Sequence, residues 1–312
     1  MPRPFRFTVQ GGTHLDAGRS LLADGAALPP YARKVESLGY QELYSYDHIG
    51  HVDPFAPLVV AASATERLRV GPLVLNNELH HPVLLARTAA TVDRMTGGRL
   101  VLGLGTGYDE SEHEAIGAPI RPPGARVSRF AESLAVLRAL LDEGRADHDG
   151  EHHRVHVDDL GVRPVQERVP FLIGGHGPRV VRLAARYADI FQFTGIVHGE
   201  GGAPSGGGFA VPALVERARW LSEAAGERDG GIERSALVQF LRIGADAPSA
   251  EEVARAFELT ADAVRDSPFA LFGSVEQVVD KLQRLRELLG ISHYVVRDPD
   301  AFAPVVEALS GR

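Results

Sequence analysis

The chain has no cysteine among its 312 residues, which excludes disulfides, thiolate metal centres and a cysteine nucleophile. Lysine is nearly missing too: only Lys34 and Lys281 occur, and the other basic residues are arginines. No apolar run approaches the ~18 residues of a membrane-spanning helix. The opening Met1-Pro2-Arg3-Pro4-Phe5-Arg6 enters an apolar segment without the hydrophobic stretch of a secretion signal. Positive charge is in deficit, 33 basic against 41 acidic residues for a formal net charge of −8. A broad nucleic-acid footprint is therefore not expected. Hydrophobic residues at 44% and charged residues at 24% are ordinary for a globular chain, so disorder is excluded as the main state. These shortages describe a soluble, acidic protein expected in the cytoplasm, with a small molecule as partner rather than nucleic acid or membrane. Local anion binding by backbone amides or a few arginines stays open. What the chain does have is glycine, 34 of them.

Short β-rich runs alternate with longer helical patterns. Strands are expected near residues 5, 42, 69, 100, 171, 190, 237 and 292, the seventh covering 236–243. Helices are expected at 28–38, 54–65, 82–95, 126–142, 179–187, 212–225, 250–264 and 275–289. The long helix over 126–142 carries Phe130, Leu134, Leu137 and Leu141 at three-to-four spacing. Eight strands each followed by helix, with no low-complexity linker, predict one α/β domain over 1–312, a closed (β/α)8 TIM barrel. Two insertions interrupt the rhythm. One is a hairpin flap near 146–165 with an Asp-Gly turn signal. The other is a glycine-rich loop near 195–210, placed to act as a lid.

In a parallel barrel the segments just past each strand share one rim. Asp47-His48, Asn76-Asn77, the Gly103-Leu104-Gly105-Thr106-Gly107-Tyr108 turn, Gly174-Gly175-His176-Gly177-Pro178-Arg179 and Thr194 all occupy such places. The Gly174–Arg179 turn lets successive amides approach a phosphate ahead of a helix N-terminus; read alone, a tight packing turn explains it equally well. A Walker loop is excluded because no Gly-Lys-Ser/Thr follows. Gly103 to Gly107 lacks the Gly-x-Gly-x-x-Gly spacing and the following acid of a dinucleotide site. His48, with a near-neutral intrinsic pKa, is the candidate acid or base beside the Asp47 carboxylate. Adjacent strand residues point oppositely, so the two need not touch, and a histidine bonded structurally at a strand end is the other reading. Tyr108, Asp109 and Glu112 are placed either to orient a substrate or to cap a helix. The histidine-rich 148–157 segment invites a metal. On a strand, however, His152 and His156 would lie about 13 Å apart, so a solvated hairpin is expected and no metal. His80-His81 before Pro82 reads as a loop and helix cap, with a cofactor contact as the alternative. No Gly-x-Ser-x-Gly elbow supports a serine hydrolase.

Tyr46-Asp47-His48, Leu68-Arg69-Val70-Gly71, His81 to Ala86, Gly97 to Gly107, Ile173 to Arg179 and Ser267 to Ser274 together resemble the luciferase-like monooxygenase superfamily. The likeness runs in order from about residue 5 to 300. It is closest to the branch dependent on coenzyme F420, a deazaflavin. The resemblance implies a TIM barrel with a flavin-like cofactor at its C-terminal rim. It implies catalytic roles for His48 and Tyr108. It also implies cofactor contacts at Asp47, Leu73, Val74, Asn76, Gly105, Thr106, Gly107, Gly174, Gly175, His176, Gly177 and Thr194, with a cis peptide at Leu73-Val74.

There are departures from that pattern. His176 stands where glycine is frequent, and Tyr108 stands where sugar-phosphate dehydrogenases of the branch carry a glutamate. The tryptophan those enzymes place after the Asp-His motif is missing at His51-Val52, which argues against glucose 6-phosphate as substrate. The activity implied is hydride transfer between coenzyme F420 and a small organic substrate. The alternatives are an FMN-dependent monooxygenase supplied by a separate reductase, and a non-catalytic flavin-binding barrel. A homodimer is implied by the same likeness.

Overall fold

The structure, a computed structural model, describes residues 3–11, 14–15, 19–198 and 204–310. Met1, Pro2 and residues 199–203 of the glycine-rich loop lie outside the described residues. Eight parallel strands form the centre: β1 (Arg6–Gln10), β2 (Glu42–Ser45), β3, β4 (Leu102–Gly105), β5 (Phe171–Gly174), β6 (Ile190–Phe193), β7 (Glu233–Leu237) and β8 (Ile291–Val296). Strand β3 comes in two segments, Arg69–Pro72 and Leu75–Asn76. The first pairs with β2 and the second with β4, and a parallel bridge from Val70 to Leu100 joins the seam. Since β1 pairs with both β2 and β8, the ring closes as the expected (β/α)8 barrel. Burial on both faces explains why these strands read as short continuous apolar runs rather than alternating ones.

Eleven helices are described: α1 (Leu28–Ser37), α2 (Ala56–Ser63), α3 (Pro82–Met95), α4 (Glu110–Ala115), α5 (Pro123–Glu143), α6 (Pro178–Tyr187), α7 (Val211–Ala225), α8 (Ala250–Phe257), α9 (Ala261–Asp266), α10 (Val275–Leu289) and α11 (Pro299–Leu309). Local chemistry sets their ends. Pro82 opens α3 behind His81, whose ring accepts from the Val83 amide, so the expected helix cap is present. Ser274 and Gln277 form a capping box on α10, which buries Val278, Leu282, Leu285 and Leu289 at three-to-four spacing and stops at Gly290. The same face buries Lys281. Its Nζ donates to Ala270 O at 2.7 Å and Val264 O at 3.3 Å, and burial lowers its pKa to about 7.

Two expectations need correction. The 236–243 strand is two strands: β7 stays in the barrel, while Phe240–Ile243 pairs in parallel with Ala270–Gly273 outside it. The change of direction comes at Gln239 and Phe240, whose amides both donate to Phe269 O. The 250–264 helix is also two, because Glu258 takes a left-handed φ of 55° and Thr260 caps a fresh turn. Nothing in the apolar spacing marks that break.

The 146–157 segment is a hairpin of Ala146–Asp149 and Arg154–Val157. Glu132 of α5 accepts from the amides of Glu151, His152 and His153. Its histidines do not converge. His153 is buried against Ser133, His148 faces Glu132, and His156 is exposed beside Asp147 and Asp158.

At the N-terminal end the barrel is plugged by charge. Glu42 is fully buried and bonds Arg6 at 2.9 Å, Thr8 and Tyr44, and His293 bonds Thr8 Oγ1 at 2.7 Å. Burial, reinforced by Arg6, pushes the His293 imidazole from 6.5 down to about 3. Burial alone would raise Glu42, but Arg6, His293 and Arg69 hold it at about 2 instead of 4.5. Both folded-state values lie below their unfolded ones, so the unfolded chain binds more protons below pH 6.5 and stability falls on acidification. Loss is expected to begin below about pH 6.5 through His293 and to deepen below about 4.5 as Glu42 joins. Urea midpoints between pH 7 and 4 should show it, with His293→Asn flattening the upper part. An unchanged slope in that variant would remove His293 from the effect.

Candidate active site at the C-terminal rim

A cavity of about 720 Å³ opens at the C-terminal ends of the strands. It is lined by every residue that the sequence marked as catalytic or cofactor-binding: His48, Tyr108, Asp47, Leu73, Val74, Asn76, Gly105, Thr106, Gly107, Gly174, Gly175, His176, Gly177 and Thr194. A side cleft of about 450 Å³ shares His48, Tyr108 and Glu112 and adds His51, Asp109 and Ser111. Gly195 and Ile196 bring the base of the glycine-rich loop to the wall. The described part of that loop folds back, pairing Val197 with Ser205. No residue of the 146–157 hairpin lines either space.

The acid–base centre is built by three elements. His48 follows β2, Asn76 ends β3, and Glu112 lies in the first turn of α4, which Asp109 caps. His48 Nδ1 and Glu112 Oε1 are 2.6 Å apart, and Asn76 Nδ2 donates to Glu112 Oε2 at 3.0 Å. Glu112 is buried, so its charge is spent on these partners and on the Ile49 amide. The carboxylate on His48 is thus Glu112 and not the adjacent Asp47. Asp47 turns to the opposite side, as neighbours in extended chain do, and accepts from Asn76 N at 2.9 Å and pairs with His80 at 2.8 Å. With Nδ1 held, Nε2 of His48 is the atom left to exchange a proton.

Tyr108 packs edge-on to His48 with ring centroids 6.0 Å apart. Burial, with Asp109 and Glu112 nearby, raises its hydroxyl pKa and keeps it a hydrogen-bond donor at neutral pH. Gly107 before it has φ +73°, and a Cβ there would lie 2.0 Å from Asn76 Oδ1; only glycine lets this turn close over Asn76. His48, Asp109 and Glu112 also present ligand-type atoms within 4.8 Å of one another. As they stand, His48 and Glu112 are hydrogen-bonded to each other and Asp109 is engaged by Ser111.

Across the mouth, β5 ends in Gly174-Gly175-His176-Gly177, and α6 begins at Pro178 with no side chain capping it. A Cβ on Gly175 would meet Val180 Cγ1 at 2.5 Å. The turn therefore keeps its backbone bare before a helix N-terminus, the arrangement that takes a phosphate. Two buried side-chain oxygens on the same wall, Thr194 Oγ1 and Gln192 Oε1, have no hydrogen-bond partner among the described residues. Arg126 of α5 also lines the cavity. A bare glycine turn, a nearby cation and orphaned polar atoms fit a phosphorylated ring cofactor with polar edges.

The Leu73-Val74 peptide between the segments of β3 is cis. Gln10 Nε2 donates to its Leu73 carbonyl at 2.8 Å. Five polar rim residues were not read as site residues from the sequence: Gln10, Gln192, Gln239, Arg126 and Arg297. Glu112 was read only as an orienting or capping acid. Its pairing with His48 had one usable signal, a place four residues beyond Tyr108 on the same rim turn.

The chain is similar to several known proteins in sequence and in fold. The chain is 30% identical over 159 residues to the 5,10-methylenetetrahydromethanopterin reductase of Archaeoglobus fulgidus, covering 51% of the chain and 46% of that protein. To the reductase of the same name from Methanopyrus kandleri it is 26% identical over 309 residues, covering 85% and 86%. To the F420-dependent glucose-6-phosphate dehydrogenase of Nakamurella multipartita it is 33% identical over 214 residues, covering 65% and 59%. The first and third matches thus span about half to three-fifths of those relatives. Among solved structures, an F420-dependent secondary alcohol dehydrogenase in complex with an F420-acetone adduct superposes with a TM-score of 0.75 at 17% identity, covering 98% of each chain. The FMN-bound oxygenating constituent of 3,6-diketocamphane monooxygenase from Pseudomonas putida does so at 0.69 and 18%, covering 98% and 96%. At these identities the two structures speak for the fold. The model of the luciferase-like monooxygenase family matches residues 5–204, well over half of the sequence, and the chain belongs to that family.

Proposed function

We propose that the protein is a deazaflavin-dependent oxidoreductase that passes a hydride between coenzyme F420 and a small organic substrate. The observation that carries the reading is the meeting, on one cavity, of the His48–Glu112 pair with a bare glycine turn and unpartnered Thr194 and Gln192 oxygens. Relatives at 29–34% identity that are named F420-dependent glucose-6-phosphate dehydrogenases favour F420 over FMN.

When bound, the cofactor supplies the carbon that gives or takes the hydride. The chain's own residues do the rest. Gly175, His176 and Gly177 would hold the phosphate, and Thr194 and Gln192 would meet polar edges. Leu73 and Val74 would support one face of the ring. His48 Nε2 moves the proton that accompanies the hydride, while Glu112 fixes the imidazole and stabilises its charged form. Tyr108 donates a hydrogen bond beside it. The apolar wall of Leu73, Val74, Phe193 and Leu237 excludes water.

Fluorescence quenching of coenzyme F420 tests the reading, with FMN titrated in parallel. Micromolar F420 binding is expected, weakened at least about tenfold in Gly175→Val, where the side chain would collide with Val180. Tight FMN binding without F420 quenching would replace the reading with the monooxygenase alternative.

A further inference from the structure

We infer that Arg297 is a specificity residue of this rim, and that the substrate it selects carries a carboxylate on an apolar body. The inference rests on the cofactor reading above and names the substrate class for the same cavity.

Arg297 is the first residue after β8 and lines the cavity. Its guanidinium is aimed by two neutral oxygens: Nε donates to Gln10 Oε1 at 3.2 Å and Nη1 to Gln239 Oε1 at 3.3 Å. Among the described residues no carboxylate pairs with it. A guanidinium has five N–H donors in a planar fork. Two are used here, and Nη2 has no hydrogen-bond partner among the described residues. Gln10 is itself buried and fixed, because its Nε2 holds the Leu73 carbonyl of the cis peptide. The cation is therefore positioned from the same side chain that braces β3, the wall behind the proposed ring site.

The two cavity carboxylates do not compete for it. Asp47 is engaged by Asn76 and His80, and Glu112 by His48, Asn76 and Ile49. Nor does the phosphate turn account for it. Arg297 leaves β8, three strands round the ring from β5, and the cation on the turn's side is Arg126. The cavity that holds both Arg297 and His48 also offers apolar surface from Leu73, Val74, Phe193 and Leu237. A molecule that reaches His48 with its reacting carbon and Arg297 with an anionic end would meet a fork matched to a carboxylate.

The test uses the full chain loaded with coenzyme F420 and pairs of ligands differing only in charge: succinate, benzoate and cinnamate against their primary amides, titrated calorimetrically. At least one acid is expected to bind about tenfold tighter than its amide, a charge-assisted pair being worth that much. Arg297→Gln should erase the preference, and Arg297→Lys should keep part of it, with F420 quenching unchanged in both. Equal binding of every acid and amide overturns the proposal. So does a preference that survives Arg297→Gln, or a loss of F420 affinity in that variant, which would assign the cation to the cofactor. No F420 quenching in the unmodified protein overturns the cofactor reading and the proposal with it; quenching without acid preference overturns only the proposal.

Discussion

Glu42→Ala is expected to destabilise the protein by about 3–5 kcal/mol, the cost of leaving buried charge without its partner. Glu42 has no exposed surface and is shared by Arg6, Thr8, Tyr44, His293 and Arg69. Arg6 would keep Glu233, whereas Arg69 has no other carboxylate among the described residues. At roughly 2–4 °C per kcal/mol for a chain of this size, melting should fall by roughly 6–20 °C. Glu42→Gln keeps the shape and some hydrogen bonds and should cost less. Calorimetry or urea titration at pH 7 reads both, and an alanine variant within about 1 kcal/mol of the parent would show that the plug is not held by this carboxylate. The cluster lies at the end of the barrel opposite the cavity, so F420 affinity of the folded variant should be unaltered.

The second large effect belongs to the rim. His48→Ala should lower kcat by about 10²–10⁴, the usual contribution of a positioned acid or base, while F420 quenching stays at the parent affinity. Glu112→Gln should give a loss of the same kind, because the amide oxygen can still accept from His48 but its NH2 would face the Asn76 donor and no charge remains to stabilise a charged imidazole. A kcat for His48→Ala within about threefold of the parent, measured with a substrate found by screening F420-coupled turnover, would take the proton transfer away from this residue. A KM change alone would make His48 a binding group.

Much of the barrel was legible because its punctuation is local. Pro82, Gly174 and Gly290 end or begin elements by backbone geometry that their own sequence neighbours specify, and eight apolar runs at barrel spacing leave few alternatives. The seventh strand misled because Val238 to Ile243 continues the β pattern while the amides at 239 and 240 are captured by Phe269, some thirty residues further on. The split at Glu258 has the same character, since a left-handed residue inside an apolar period carries no compositional mark. At the site, glycine turns announce themselves, and position on the rim followed from the strand order. Pairing did not. Asp47 is next to His48 in sequence and turned away from it in space, whereas Glu112 arrives from a separate strand-to-helix turn. Arg297 and Gln10 likewise matter only once β8 and β1 are neighbours, a contact between the two ends of the chain.

The burial of Lys281 beneath α10 has a practical consequence. With one of the two lysines closed off, Lys34 is the single side-chain amine open to acylating reagents, its tip half exposed beside Asp300. Lys34 sits in the last turn of α1, and barrel helices run back toward the N-terminal ends of the strands. A tether or dye placed there, once the terminal amine with its lower intrinsic pKa has been blocked, leaves the mouth of the cavity clear. The protein therefore comes with a single-point handle for oriented attachment to an electrode or a sensor surface.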